Sequence, residues 1–256
     1  MAEQDSGSAL HDGDELAGRV AIVTGAGKNI GRAIARSLAA GGASVVVCAR
    51  TSISDAEETA SLIAEAGGDA KVILGDLTEP ADVERLMAEV SDQYGRLDVL
   101  VNNAAVRYET PLLEMSFEEW RTVLGIGLDS AFLCTKAALP VMLADGGGSI
   151  INIGGQTGHD PIPDRAHVIA AKGALAAFTK AVAVEFADRN VTVNCVVPGS
   201  IDTTRVGGKS PMRNLPPAGR RGTVWEIAAM VRMLAGPDGR YITGQAIHVN
   251  GGGYMP

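Results

Sequence analysis

Aromatic residues are scarce in this chain. Phe, Trp and Tyr make up 4% of its 256 residues, which argues against an aromatic-rich β-sandwich core. Cysteine is scarce too. Cys48, Cys134 and Cys195 have no C-x-x-C spacing, and that pattern fits reduced, buried thiols in a cytoplasmic protein. No metal site is expected. Positive charge is not in excess. The formal net charge is −8, which argues against a general nucleic-acid or anionic-membrane binder. No apolar run reaches the length of a membrane span. The first residues lack a basic segment followed by an apolar one, so they do not read as a secretory signal. Residues 1–16 read as a loose polar tail, and 17–256 as one domain without linker or repeat.

What is present is glycine, 32 residues of it, and an apolar fraction of 46%. Short β-branched runs alternate with stretches of helical spacing. Val20–Val23, Ala43–Ala49, Lys71–Gly75, Asp98–Val101, Ser149–Ile153, Val191–Val197 and Ala246–Val249 read as strands. Continuous runs such as Val45-Val46-Val47 mark strands covered on both faces. Helices are expected over 32–40, 55–66, 80–94, a long one after Ser116 with Pro140 near its end, 164–187 and 223–235. A loop rich in Gly, Pro and Arg spans 200–222. Strict alternation implies right-handed crossovers on a parallel sheet. The expected fold is a single doubly wound α/β domain of the Rossmann type with a seven-stranded parallel sheet flanked by helices. Ligands of such folds bind at the carboxyl ends of the strands.

The strongest local signal is Thr24-Gly25-Ala26-Gly27-Lys28-Asn29-Ile30-Gly31. It follows the first strand and opens the first helix. A turn of this kind brings a pyrophosphate against backbone N–H groups at a helix N-terminus. Glycine is needed where a Cβ would meet the phosphates or force a disfavoured φ. A tight βα turn without a ligand is the blander alternative. The strand–turn–helix context favours a nucleotide site.

Together with Asn102-Asn103-Ala104-Ala105, Pro198-Gly199, Thr203, Tyr241–Gln245 and Gly251-Gly252, this turn resembles the short-chain dehydrogenase/reductase family from residue 17 to the C-terminus. In the family's glycine pattern Thr24, Gly25 and Gly31 match, Asn29 stands at the middle glycine, and Gly27 is an extra one. Asn is the next most tolerant residue for an unusual φ. The resemblance implies an oxidoreductase binding a nicotinamide dinucleotide, a small-molecule substrate, and a homodimer or homotetramer. It places Asp76 at the adenine amino group and Leu77 beside the ring; capping a turn is the alternative role for Asp76. Asn103 and Ala104 would contact the cofactor, and Lys172, Pro198, Gly199 and Thr203 would lie towards its nicotinamide end. Strand two ends in Arg50 rather than an acid. Lys28 and Arg50 could clamp a 2′-phosphate, so NADP(H) is favoured over NAD(H).

The resemblance also exposes departures. The family's catalytic tyrosine, four residues before Lys172, is Val168 here. The serine position is Gly155, and the asparagine position is Gly127. Lys172 itself is kept, with its expected role at the cofactor ribose. His159, His167, Gln156 and Asp160 are candidate substitutes, because histidine exchanges protons near neutrality. Lys209, Arg213, Arg220 and Arg221 could steer an acidic substrate. Three readings stay open: an oxidoreductase with a non-standard proton donor, a catalytically inactive nucleotide-binding regulator or partner subunit, and a lyase or isomerase on the same fold.

Overall fold

A computed structural model of the chain describes residues 13–204 and 215–256. Seven strands form one parallel sheet in the order β3-β2-β1-β4-β5-β6-β7. They are β1 (Val20–Thr24), β2 (Ser44–Ala49), β3 (Asp69–Leu74), β4 (Val99–Asn102), β5 (Gly148–Ile153), β6 (Val191–Pro198) and β7 (Ala246–Val249). The order reverses at β1/β4, which opens the crevice where doubly wound folds bind ligands. Fold class and strand number are as the sequence implies.

Helices cover both faces. On one lie α1 (Asn29–Ala40), α2 (Ile53–Glu65) and α7 (Val224–Ala235). Their Ile34, Leu38, Ile63, Ile227 and Val231 bury against Ala21, Val23, Val45 and Val47. On the other lie α3 (Pro80–Tyr94), α5 (Ser130–Ala144) and α6 (Ala166–Phe186), with Leu86, Met142 and Val182 against Ile22, Leu100 and Ile150. Each such fully buried aliphatic side chain contributes about 1.5–3 kcal/mol. Local signals fix the helix ends. Pro80 sits in the first turn of α3, and Gly95 ends it at φ 68°. Thr223 and Glu226 form a reciprocal capping box on α7.

Three expectations are corrected. The tail does not extend to residue 16: Leu16 is fully buried in the core, and Glu15 pairs with Arg232. Apolar burial therefore draws 13–16 into the domain. The long helix after Ser116 is not one helix. It comprises α4 (Phe117–Leu124), a π-turn over Gly125–Asp129, and α5. Gly125 and Gly127 hold the α-helix weakly, and π-turns recur at functional sites. The helix expected from Asp164 starts at Ala166, because Asp164 has φ 63° and cannot enter a right-handed helix.

Counted through the π-turn, 117–144 and, with its terminal turn, 166–189 are long and apolar enough to cross a bilayer. About half of each apolar window is buried within the domain, as core helices of this fold require. Cys48, Cys134 and Cys195 are all free and buried.

Candidate functional site

The glycine turn is built as its composition demands. Asn29 takes φ 52° and Gly25 φ 62°, so asparagine occupies the left-handed position that the resemblance gives to glycine. A Cβ on Gly31 would lie 2.2 Å from the Gly25 carbonyl oxygen, and one on Gly25 would lie 3.0 Å from Ala104 Cα. No side chain fits at Gly31. Gly27 serves a neighbour instead: a Cβ there would meet Asp55 on α2 at 2.9 Å. Ile30 anchors the turn in the core.

β1 and β4 are locked together where they part. The Asn103 and Ala104 N–H groups donate to Thr24 Oγ1 at 2.9 and 3.0 Å. Asn103 Nδ2 donates to the Thr24 and Gly25 carbonyls at 2.8 and 3.0 Å. Beside this lock an open cavity of 180 Å³ is lined by Gly25, Ala49, Arg50, Asp76, Leu77, Ala104 and Ile126, among others. A second cavity of 310 Å³, at the opposite end of the sheet near Arg96 and Asp98, lies away from the ligand-binding ends of the strands.

The two cations at the rim each have a carboxylate partner. Lys28 Nζ is 3.2 Å from Asp55, and Arg50 is 3.6 Å from Asp76. Asp76 also accepts from the Thr78 hydroxyl at 2.7 Å, which, ahead of Arg50, holds its carboxyl below the usual range. Pro198 pairs with Val249, and Gly199 sits so close to Asn250 that a Cβ would meet it at 2.6 Å. Thr203 is half-buried beyond it.

The positions assigned to chemistry converge. Val168 lies one turn before Lys172 on α6 and is buried. A Cβ on Gly155 would lie 3.7 Å from Lys172 Cγ, and one on Gly127 would lie 3.4 Å from Ala171 Cβ. Lys172 is 6% exposed, and its Nζ donates to the Ile153 carbonyl at 2.6 Å. Burial, followed by the Arg107 charge, brings its pKa down to about 8.

The histidines are engaged elsewhere. His167 is fully buried, and its Nδ1 accepts the Val168 N–H at 3.0 Å. The ring proton therefore sits on Nε2 and is donated to Glu119, 3.0 Å away. His159 packs edge-on to His248, with ring centroids 4.7 Å apart, and near Tyr254. Burial lowers the pKa of both imidazoles. Gln156 bonds Asp160 and the Gly253 carbonyl, so that loop holds the C-terminal segment. Arg220 pairs with Glu226, whereas Lys209 and Arg213 lie outside the described residues.

Sequence reasoning missed Glu119, Thr110 and Arg107. Glu119 accepts both His167 and the Thr110 hydroxyl. It stands three residues after the helix cap Ser116, a spacing that reads as a helix start and gives no hint of a partner on α6.

Comparison with known proteins follows the same lines. Residues 25–254 match the family model described as enoyl-(acyl carrier protein) reductase. The chain is 41% identical over 243 residues to a 3-oxoacyl-[acyl-carrier-protein] reductase of Synechocystis, covering 94% of this chain and 98% of the relative. It is 39% identical to the Escherichia coli enzyme of that name, covering 93% and 98%. Among solved structures, a dehydrogenase/reductase from Sinorhizobium meliloti superposes with TM-score 0.89 at 33% identity, covering 94% and 96%. A double mutant of a Serratia marcescens short-chain dehydrogenase/reductase does so with TM-score 0.88 at 33% identity, covering 94% and 100%.

Proposed function

Because the chain belongs to the short-chain dehydrogenase/reductase family, we propose that it is an NADP(H)-dependent oxidoreductase. Its substrate is a small carbonyl, enone or imine compound, and its proton delivery does not use a tyrosine. One observation supports this reading: Lys172 is buried, with its Nζ bonded to the Ile153 carbonyl, while by the resemblance Val168, Gly155 and Gly127 stand where the family places tyrosine, serine and asparagine.

The crevice suits a dinucleotide. The turn at Gly25 and Gly31 closes on itself with no space for a Cβ, as a pyrophosphate cradle requires. Thr24, Gly25, Gly27, Lys28, Ile30 and Gly31 would surround the phosphates, with Asn29 shaping the turn through its left-handed backbone, and Asp76 and Leu77 the adenine. Asn103 and Ala104 would line the cofactor crevice, and Lys172, Pro198, Gly199 and Thr203 would hold the nicotinamide half. When bound, the reduced cofactor supplies a hydride. The preference for a 2′-phosphate rests on Arg50 at the end of β2 and Lys28 at the head of α1. Their ion pairs with Asp55 and Asp76 are exposed and worth about 0–1 kcal/mol, so charge-assisted bonds to phosphate can replace them.

The chain's own chemistry then falls to Lys172. An ammonium with a pKa near 8 is largely charged at neutral pH and releases its proton readily. Its charge favours negative charge developing on a substrate oxygen or nitrogen. Glycine and valine supply neither a proton nor an O–H. Exposed Phe132 on α5 and Val184 on α6 support self-association of the chain, as sedimentation would show.

The test is NADPH and NADH titration, followed by turnover against a panel headed by a 3-oxoacyl thioester, the substrate class named for its relatives. Lys172→Met should lower kcat by about 10²–10⁴-fold. Tight NADPH binding with silence across the panel would instead support the regulator reading, which the three missing side chains favour. Turnover without change in nicotinamide absorbance would mark a lyase or isomerase.

A further inference from the structure

Asn29 does more than tolerate its backbone. Its Nδ2 donates to the Thr204 carbonyl at 2.9 Å, and its Oδ1 accepts the Thr204 N–H at 2.9 Å. One side-chain amide thus ties down both polar groups of a residue 175 positions away. Thr204 follows β6, and Asn29 follows β1. In the sheet β4 and β5 lie between those strands, so their ends are about 14 Å apart at the usual strand spacing. The Asn29–Thr204 junction therefore closes a span of chain over the carboxyl ends of β4 and β5. The β1/β4 crevice opens at those ends.

A glycine would supply the left-handed φ at position 29 at least as well. It would not supply the bridge. We propose that Asn29 is a positioning residue: its amide bridges the glycine turn to the segment carrying Thr203, and a dinucleotide enters and leaves the crevice only when that bridge opens. This inference rests on the nucleotide-binding reading above.

Opening is a step common to entry and exit. Removing the bridge should therefore raise both rate constants and leave their ratio almost unchanged. The test is stopped-flow fluorescence of NADPH with wild type and Asn29→Gly, which keeps the backbone conformation, and Asn29→Asp, which keeps only the acceptor. Association and dissociation should both quicken about tenfold in Asn29→Gly, the size that two modest hydrogen bonds supply. Asn29→Asp should lie between. In Asn29→Gly, which adds no charge, Kd should stay within about threefold. Hydrogen exchange of the Thr204 amide, measured without cofactor, should quicken in Asn29→Gly and stay slow in Asn29→Asp. Unchanged exchange in Asn29→Gly would overturn the bridge. A weaker Kd with unchanged association would overturn the gating role and make Asn29 a direct cofactor contact. A wild type that binds neither NADPH nor NADH would overturn the nucleotide reading and gating with it, with Thr204 exchange still reporting on the bridge.

Discussion

Lys172 Nζ is hydrogen-bonded to the Ile153 carbonyl at 2.6 Å, and among the described residues it forms no ion pair with a carboxylate. A buried ammonium held only by a neutral acceptor is costly, and its pKa falls from 10.5 to about 8. Between pH 8 and 10.5 the unfolded chain binds more protons at this lysine than the folded chain does. Stability from this group therefore rises with pH across that window. The total is about 3 kcal/mol. Denaturant unfolding of wild type and Lys172→Met at pH 7.5, 8.5 and 9.5 isolates it. The wild type should gain on the variant as pH rises; parallel curves would show that Lys172 is not penalised by burial.

Glu119 is the hinge of a second buried contact. It accepts from His167 Nε2 at 3.0 Å and from Thr110 Oγ1 at 2.5 Å. Glu119→Ala leaves the fully buried imidazole N–H without an acceptor, which costs about 1–3 kcal/mol. The melting temperature should fall by about 3–10 °C. Glu119→Gln keeps a carbonyl acceptor and should lose less than half as much. Equal losses would mean that charge, rather than hydrogen bonding, holds the contact.

Much of this architecture is legible in the sequence because it is written locally. The β-branched run Val45-Val46-Val47 marks a buried strand, and Ala246–Val249 is a strand with the bounds its pattern gives. Asn29 reads as a left-handed residue from its type and place, and its φ of 52° agrees. What escapes is non-local. The partners of Asn29 and Glu119 lie 175 and 48 residues away, and no spacing rule reaches that far. The π-turn at Gly125–Asp129 escapes because glycine weakens an α-helix without specifying what replaces it.

The glycines of the site divide into two kinds, and substitution separates them. At Gly31 a Cβ would meet the Gly25 carbonyl oxygen at 2.2 Å and Asn103 Nδ2 at 2.6 Å. The first of these is backbone and cannot step aside. Gly31→Ala should cost about 3 kcal/mol or more and abolish NADPH binding. At Gly155 the backbone is extended, with φ 176°, and a Cβ would meet nothing nearer than 3.7 Å. Gly155→Ser should change stability by no more than about 0.5 kcal/mol. Urea unfolding of both variants checks the contrast; a comparable loss at Gly155 would show hidden packing there.

On the reading proposed above, that free space allows a hydroxyl and a phenol to be introduced beside Lys172. Serine at 155 would add a hydroxyl beside Lys172, since its Cβ falls 3.7 Å from Lys172 Cγ. Tyrosine at 168 would add a phenol one helical turn before the same lysine. An oxyanion donor is worth about 10²–10³-fold and a general acid about 10²–10⁴-fold. The double variant Gly155→Ser/Val168→Tyr should therefore raise kcat/KM for NADPH-linked carbonyl reduction by at least about 10²-fold over wild type. Val168 is buried, so the larger ring costs about 1–3 kcal/mol of stability, which a melting curve will register. Each single substitution should gain less than the pair, because the phenol and the hydroxyl act on the same oxygen. A folded double variant that binds NADPH yet gains nothing would show that Val168 and Gly155 do not face the substrate.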